Sequence, residues 1–387
     1  MNQTLTIAFD GKRASNNRTG LGNYSRHIIA LLAKYFPENR YIIFLTNENQ
    51  NQQLKEILDQ NPNMETVLPK GLWKKIASLW RVFGIKNELS EYENVIYHGL
   101  SNELPLTIKQ TNAKSIVTMH DLIFLKHPQY YKFFDRKIYT YKFRKACENA
   151  DHIIAISECT KRDIVEIFHI NPAKISVIYQ SCDQVFKIPI PADILQSTRQ
   201  KYNLPERFLL NVGSIEERKN ALLIVKALPL LKEKMPLVIV GKRTKYTLKV
   251  EKAAENLGVK EYVYILDKVP FEDLAPIYHL AKVFIYPSRY EGFGIPIIEA
   301  IHCGVPVVAA TGSCLEEAGG PGCLYVNPDD EKALAQAIET FLTDNAFLKK
   351  SVEKSQKYVQ KFSEDMQAKQ LMECYKNQMM NNQYLQP

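Results

Sequence analysis

The chain has 387 residues, 45 % of them hydrophobic, with seven cysteines and a formal net charge of +8. That length exceeds what one core usually supports, so two domains of under about 200 residues each are expected. Scattered cysteines without a C-x-x-C pair exclude a disulfide frame or a zinc ribbon and read as reduced thiols. No run of about 18 uncharged apolar residues is present, and the start MNQTLTIAFDGKR lacks a signal peptide's basic end and long apolar centre. A cytoplasmic protein is therefore expected, and its basic excess suits phosphates, nucleic acid or a lipid surface.

In chain order, Leu5–Asp10, Tyr41–Thr46, Asn94–Gly99, Ser115–Asp121, His152–Ser157 and Lys174–Gln180 read as strands. Helical patterns lie between them at Asn23–Lys34, Tyr130–Asn149 and Glu158–Phe168. Such alternation predicts an α/β domain with a parallel sheet covered by helices. A proline-rich stretch around Phe186–Asp193 (KIPIPAD) reads as a linker, placing a first domain at 1–185, a linker at 186–203 and a second domain at 204–360. The pattern restarts with strands at Phe208–Gly213, Leu237–Gly241, Val263–Leu266, Val283–Pro287, Val305–Ala310 and Cys323–Val326. From Glu331 the chain reads as helical, with a last helix and tail over 361–387 whose end, NNQYLQP, is expected to fray.

Several first-half segments could face a ligand. Arg18–Tyr24 (RTGLGNY) carries Gly20 and Gly22, but its partial G-x-G pattern lacks the third glycine and the tight turn of a dinucleotide fingerprint. His98 and Asn102 in YHGLSNELP, and His120 and Asp121 ending SIVTMHD, lie at carboxyl ends of strands, where open α/β sheets bind ligands. Each could equally be a packing residue of its loop. Lys70–Lys86 (KGLWKKIASLWRVFGIK) has five cations, no acid and both tryptophans. Read as a helix, it puts Leu72, Trp73, Ile76, Leu79, Trp80 and Phe83 on one face and Lys74, Lys75 and Arg81 off it. This helix would either pack its stripe on the sheet or lie on an anionic membrane surface, with Trp73, Lys74, Lys75, Trp80 and Arg81 as the contact residues. Tyr130–Lys145, also basic and aromatic, would extend that surface or line an acceptor cleft.

The second half carries the stronger signals. Asn211–Asn220 (NVGSIEERKN) places Gly213, Arg218 and Lys219 after a strand, where paired cations can neutralise a diphosphate. The plain alternative is a solvated charge run. Tyr286–Ala300 (YPSRYEGFGIPIIEA) places Glu291, Gly292, Phe293 and Gly294 in a strand-to-helix loop, with Pro296 and Glu299 at the helix start. The glycines let backbone N–H groups approach a ligand, and the helix N-terminus favours phosphate. Glu299 could accept two vicinal hydroxyls or merely be an acid at a helix start.

Together GSIEERKN and SRYEGFGIPIIEA resemble the signature of the retaining glycosyltransferases of family 4, and within it a bacterial mannosyltransferase-like member. Glu291 and Glu299 match that family's E-x7-E motif. VPVVAATGSCLEEAGG resembles its following segment, with Glu317 as the matching acid, and Lys361–Tyr375 resembles its last helix. The resemblance implies a GT-B fold: two facing Rossmann-like domains, with a C-terminal helix crossing back to the first. It implies a nucleoside-diphosphate-sugar donor bound by Gly20, Gly22, Gly213, Arg218, Lys219, Gly292, Phe293, Gly294 and Glu299. Catalysis would involve His120, Glu291, Arg218 and Lys219. His98, Asn102 and Asp121 would stand on the side of a saccharide or lipid-linked saccharide acceptor. Retention of configuration is implied, by a same-face route in which the leaving phosphate helps deprotonate the acceptor.

No D-x-D triplet or metal-spaced His/Asp cluster occurs, so a metal-independent enzyme without further cofactor is expected. A nucleotide-sugar epimerase on the same fold is the rival enzyme, and a non-catalytic basic scaffold the rival outside catalysis. The basic stretches match no nucleic-acid module, so no nucleic-acid partner is expected.

Overall fold

The computed structural model describes residues 4–17, 19–49 and 51–380, and divides into two compact units. One comprises Met1–Tyr179 with Glu364–Pro387, the other Gln180–Ser363. Arg18 and the final NNQYLQP lie outside the described residues.

The first unit is built on a seven-stranded parallel sheet: β1 Thr6–Asp10, β2 Arg40–Phe44, β3 Met64–Val67, β4 Val95–Gly99, β5 Lys114–Met119, β6 His152–Ala155 and β7 Ile175–Val177. The order is β3-β2-β1-β4-β5-β6-β7. Covered on both faces, the central strands are mostly apolar rather than alternating. Successive side chains still go to opposite layers. Ile7, Phe9 and Ile116 join one cluster, and Ala8, Ile42, Phe44 and Val117 the other. Edge strand β3 (METV) is only half-buried, and its polar Glu65 and Thr66 gave no strand signal in the sequence.

The last helix, Glu364–Met380, is part of this unit. Ala368, Leu371, Met372 and Tyr375 recur at helical spacing and are buried with Tyr24, Ile28 and Leu32 of the helix Gly20–Tyr35. Lys34 Nζ stands 3.1 Å from Glu364 Oε2 beside them.

The second unit has a six-stranded parallel sheet: β8 Leu209–Val212, β9 Leu237–Val240, β10 Val263–Leu266, β11 Val283–Tyr286, β12 Val307–Ala310 and β13 Leu324–Val326, ordered β10-β9-β8-β11-β12-β13. In both sheets the chain reverses direction beside the first strand, between β1 and β4 and between β8 and β11. Helices leave such a pair toward opposite faces, so a crevice opens at the carboxyl ends of those strands.

Two expectations need correction. The division falls after Tyr179, ahead of the segment 186–203 expected as a linker, which lies inside the second unit. Pro191 instead caps the helix Ala192–Lys201, and Asp273 takes hydrogen bonds from Lys201 Nζ at 2.6 Å and Tyr202 OH at 2.5 Å. The stretch 70–86 is not one helix either. A 3₁₀ segment Gly71–Ile76, one α turn and a widened turn Trp80–Gly84 follow one another, each with a different rotation per residue. Trp80 is fully buried and donates Nε1–H to Glu88 at 3.0 Å. Arg81 is buried between Asp10, at 2.6 Å, and Glu103. Neither can meet a membrane. Gly84 makes the bend possible, since a Cβ there would stand 2.7 Å from the Trp80 ring and 2.9 Å from that of Trp73.

Gly20 and Gly22 sit in the first turn of their helix rather than in a loop. A Cβ on Gly22 would fall 1.9 Å from the Asn17 carbonyl oxygen, whereas one on Gly20 meets nothing within 4 Å. Gly22→Ala should therefore lower stability by on the order of 1–3 kcal/mol. Gly20→Ala should leave it unchanged or raise it by up to about 1 kcal/mol. Thermal melts of the two variants beside the parent check both.

Candidate active site

In the second unit, Arg218 and Lys219 lie in the loop after β8, and Glu291 in the loop after β11, the two strands flanking the switch point. All three converge. Arg218 Nη1 is 2.7 Å from Glu291 Oε2, and Lys219 Nζ is 2.9 Å from Oε1. Ser288 Oγ donates to Oε1 at 2.8 Å and Tyr286 OH at 3.0 Å. Lys219 Nζ also donates to Tyr286 OH at 2.7 Å, and Arg218 Nη1 to the Tyr290 carbonyl at 2.6 Å. The Glu291 side chain is 12 % exposed. Burial would raise its pKa, but Lys219 and Arg218 outweigh that and hold the carboxyl down at about 2. Burial likewise opposes the charge on Lys219, and Glu291 with Tyr286 more than restores it. The cluster is thus fully ionised and carries one excess positive charge.

Two backbone features make this possible. Gly213 has φ +144°, and a Cβ there would stand 3.0 Å from Lys219 Cδ, so the lysine runs over a bare backbone. Asn220 takes a left-handed conformation, φ 58°, and its Nδ2 donates to the carbonyls of Pro287 at 3.2 Å and Pro328 at 2.7 Å, binding its own loop to those after β11 and β13.

Gly294, φ +136°, is the N-cap of the helix Ile295–His302, with Pro296 in its first turn. Phe293 turns inward, 3 % exposed, its ring 5.3 Å from Phe362. It can offer a ligand its backbone rather than its ring. Cys314 ties the loop by sharing its one S–H between the carbonyls of Phe293 at 2.6 Å and Glu291 at 3.1 Å. Glu299 lies in the second turn of the helix, not the first, and accepts from Tyr278 OH at 2.8 Å. Burial pushes its carboxyl up to about 7, Tyr278 works against this, and Asp183 adds to it. Glu317, on the short helix Leu315–Gly319, accepts at its carbonyl from Tyr358 OH at 2.8 Å.

In the first unit the sequence-predicted groups divide into reachable and unreachable. His98 is fully buried. Its Nδ1 pairs with Tyr375 OH at 2.7 Å and its Nε2 with Thr118 Oγ1 at 2.8 Å. It cannot touch an acceptor, and burial with His120 nearby lowers its pKa to about 3. Asn102, φ 63°, pins its loop by accepting from the His120 N–H at 2.6 Å, and is also buried. His120 is 6 % exposed. Its Nε2–H donates to the Leu100 carbonyl at 2.9 Å, leaving Nδ1 as the acceptor side of a ring that burial keeps neutral, with a pKa near 4. Tyr24 packs edge-on against it at 4.6 Å. Asp121 is half-buried and caps the following turn through the Ile123 N–H at 3.1 Å. Among the described residues, no three of His, Cys, Asp and Glu are placed to hold a metal ion.

Sequence reasoning missed Tyr286, Ser288, Asn220 and Tyr278, the groups that hold the carboxylates and loops. Their only signal is position, at or just past strand ends or facing the helix carrying Glu299.

Two pH effects follow. Glu291 has a depressed pKa, so its stabilisation is complete above its ordinary value of 4.5 and is lost as pH falls toward 2. Glu291→Gln should cost on the order of 3 kcal/mol at pH 7, because two cations are left without their anion, and should converge on the parent near pH 2. Glu299 has a raised pKa, so its stabilisation is complete below 4.5 and is lost as pH rises through about 7. Without nucleotide, Glu299→Gln should match the parent near pH 4.5 and exceed it at pH 8.5 by up to about 3 kcal/mol. Denaturant titrations at these pH values measure both differences.

Residues 196–362 match the family model of glycosyl transferases group 1, and residues 20–184 that of glycosyltransferase family 4. The chain is 30 % identical over 294 residues to O-antigen chain mannosyltransferase B of Escherichia coli, covering 74 % of this chain and 76 % of that protein. It is also similar to the solved glycosyltransferase of Rickettsia africae ESF-5, with TM-score 0.77 and 22 % identity over 98 % of this chain and 100 % of the other. The Anabaena protein Alr3699/HepE in complex with UDP and glucose gives TM-score 0.76 at 19 % identity, over 96 % of this chain and 100 % of the other. With both halves of the sequence matched and two parallel-sheet α/β units like these neighbours, the chain belongs to the family 4, group 1 glycosyltransferases and has the GT-B fold.

Proposed function

We propose that this glycosyltransferase moves a hexose from a GDP- or UDP-linked donor to a saccharide or lipid-linked saccharide, with retention, in surface polysaccharide synthesis. The observation that carries this reading is the pair Arg218 and Lys219, fully ionised and oriented by one carboxylate at the switch point of the second unit. Its excess positive charge, beside a glycine-bearing loop that opens a helix, suits a diphosphate. The relatives add the polysaccharide setting: the similar Escherichia coli protein is an O-antigen chain mannosyltransferase, and the similar Anabaena protein is seen with UDP and glucose.

In this reading the bond between the anomeric carbon and the terminal phosphate oxygen breaks as the acceptor oxygen bonds to that carbon on the same face. The acceptor proton passes to the departing phosphate oxygen. Arg218 and Lys219 take up the charge on the diphosphate, with no metal required. Glu291 holds both cations in place, and Glu299 receives the ribose hydroxyls. In the first unit, His120 offers a saccharide hydroxyl the Nδ1 of its neutral ring. The protein works on the cytoplasmic side of the cell membrane as a peripheral protein. No helix among the described residues is long and apolar enough to cross a membrane.

Calorimetric titration with UDP, GDP and ADP, with EDTA present, tests this. One nucleotide should bind selectively, and Arg218→Ala should weaken that binding and lower transfer by on the order of 10²–10³. Failure of every nucleotide to bind the folded protein would remove the reading.

A further inference from the structure

The exposed apolar side chains of this molecule are not scattered. Of the seventeen large ones among the described residues, nine fall in two short stretches of the first unit, so this is a local surface feature rather than background. In the first stretch, Leu72 is 82 % exposed, and Ile76, Leu79 and Phe83 also point outward, while Trp80 goes into the core. Much of the apolar spacing that the sequence would bury against the sheet is thus turned out, because the changing helical pitch through residues 71–84 sends Trp80 fully and Trp73 partly inward and leaves Leu72, Ile76, Leu79 and Phe83 outside. In the second stretch, the first half of the helix Phe133–Asn149, Phe134 is 77 % exposed and Phe133 57 %, with Ile138 and Tyr141 beside them.

Both stretches root in one place. Trp73, Trp80, Tyr131 and Phe143 pack into the same core cluster. Arg81 of the first stretch and Lys142, just past the second, share the carboxylate of Glu103. Cations ring the apolar tips. Lys70, Lys74, Lys75, Lys132 and Lys137 are exposed, and Arg136 is half-buried. Asp135 is the single acid within residues 70–86 and 132–141. Lys137 and Arg136 lie 5.5 and 5.7 Å from the Phe133 ring centre, so charge and aromatic surface are interleaved.

We infer that these two stretches form one membrane-docking face, in which Leu72, Phe133 and Phe134 enter the interface of an anionic leaflet and the six cations meet its headgroups. The inference deepens the peripheral-membrane reading above and rests on it, while moving the contact from Trp80 and Arg81 to side chains that reach solvent. Charge complementarity selects this occupant. A second copy meeting the same face about a twofold axis would bring six cations against six, whereas a leaflet rich in phosphatidylglycerol brings only opposite charge.

Co-sedimentation of the full chain with vesicles of phosphatidylcholine alone, and with phosphatidylglycerol added, tests it. Binding should require the anionic lipid and weaken with salt. Each cation replaced by glutamine, as in Lys74→Gln or Lys137→Gln, should lower affinity about fivefold. Phe133→Ser with Phe134→Ser, and separately Leu72→Ser with Ile76→Ser, should each lower it at least about tenfold. Leu248→Ser, which removes a 71 % exposed leucine from the second unit, should change nothing. Nucleotide calorimetry on the same samples checks folding and keeps the two readings apart: nucleotide binding without vesicle binding overturns the docking face and leaves the transferase reading standing. The inference is also overturned if the phenylalanine pair can be replaced without effect, or if sedimentation velocity shows a dimer that this replacement dissolves while vesicles go unbound.

Discussion

The arrangement of the second unit turns on one carboxylate. Arg218 and Lys219 are adjacent in sequence, mostly buried and of like charge, and would repel each other without Glu291 between their tips. A buried charge left alone is costly, so the anion must be held as firmly as the cations. Ser288, Tyr286 and the bare backbone at Gly213 do that. The sheet enters the same account. β8 and β11 are neighbours only because the strand order reverses there, and that adjacency brings residues 218 and 291 together across some seventy positions of chain.

Much of this was readable from the residues. Seven of the thirteen strands overlap unbroken apolar runs of four residues or more, because buried parallel strands leave little room for anything else. The strand Met64–Val67, at an edge and half-wet, had no such constraint and no such signal. Arg218, Lys219 and Glu291 were legible because charge beside glycine at a strand end is unusual in a packed fold. Tyr286 and Asn220 were not, since a tyrosine ending a strand and an asparagine before a helix are ordinary until their partners in distant loops are known.

The misreadings share a physical origin as well. Helical spacing in residues 70–86 assumes one pitch throughout, and a change of pitch at residues 76–80 reassigns every face. Arg81 looked like a surface cation because its partners, Asp10 and Glu103, lie far off in sequence. His98 looked reachable at a strand end, yet Tyr375 from the last helix covers it. Long-range pairing hides polar groups that local pattern leaves in solvent.

That last helix has a consequence for biosynthesis. The unit Gln180–Ser363 is continuous in the chain and can close its core as soon as it leaves the ribosome. The first unit cannot, because Leu371, Met372 and Tyr375 belong to its core and are made only after the whole of the second unit. Domains commonly fold in order of synthesis, amino-terminal first. Here the order is reversed in one step: the first half of the chain must wait, with the helix Gly20–Tyr35 bare along one side, until residues 364–380 have been made. A nascent chain stalled before residue 364 would present a finished second unit and a first unit still lacking its last helix.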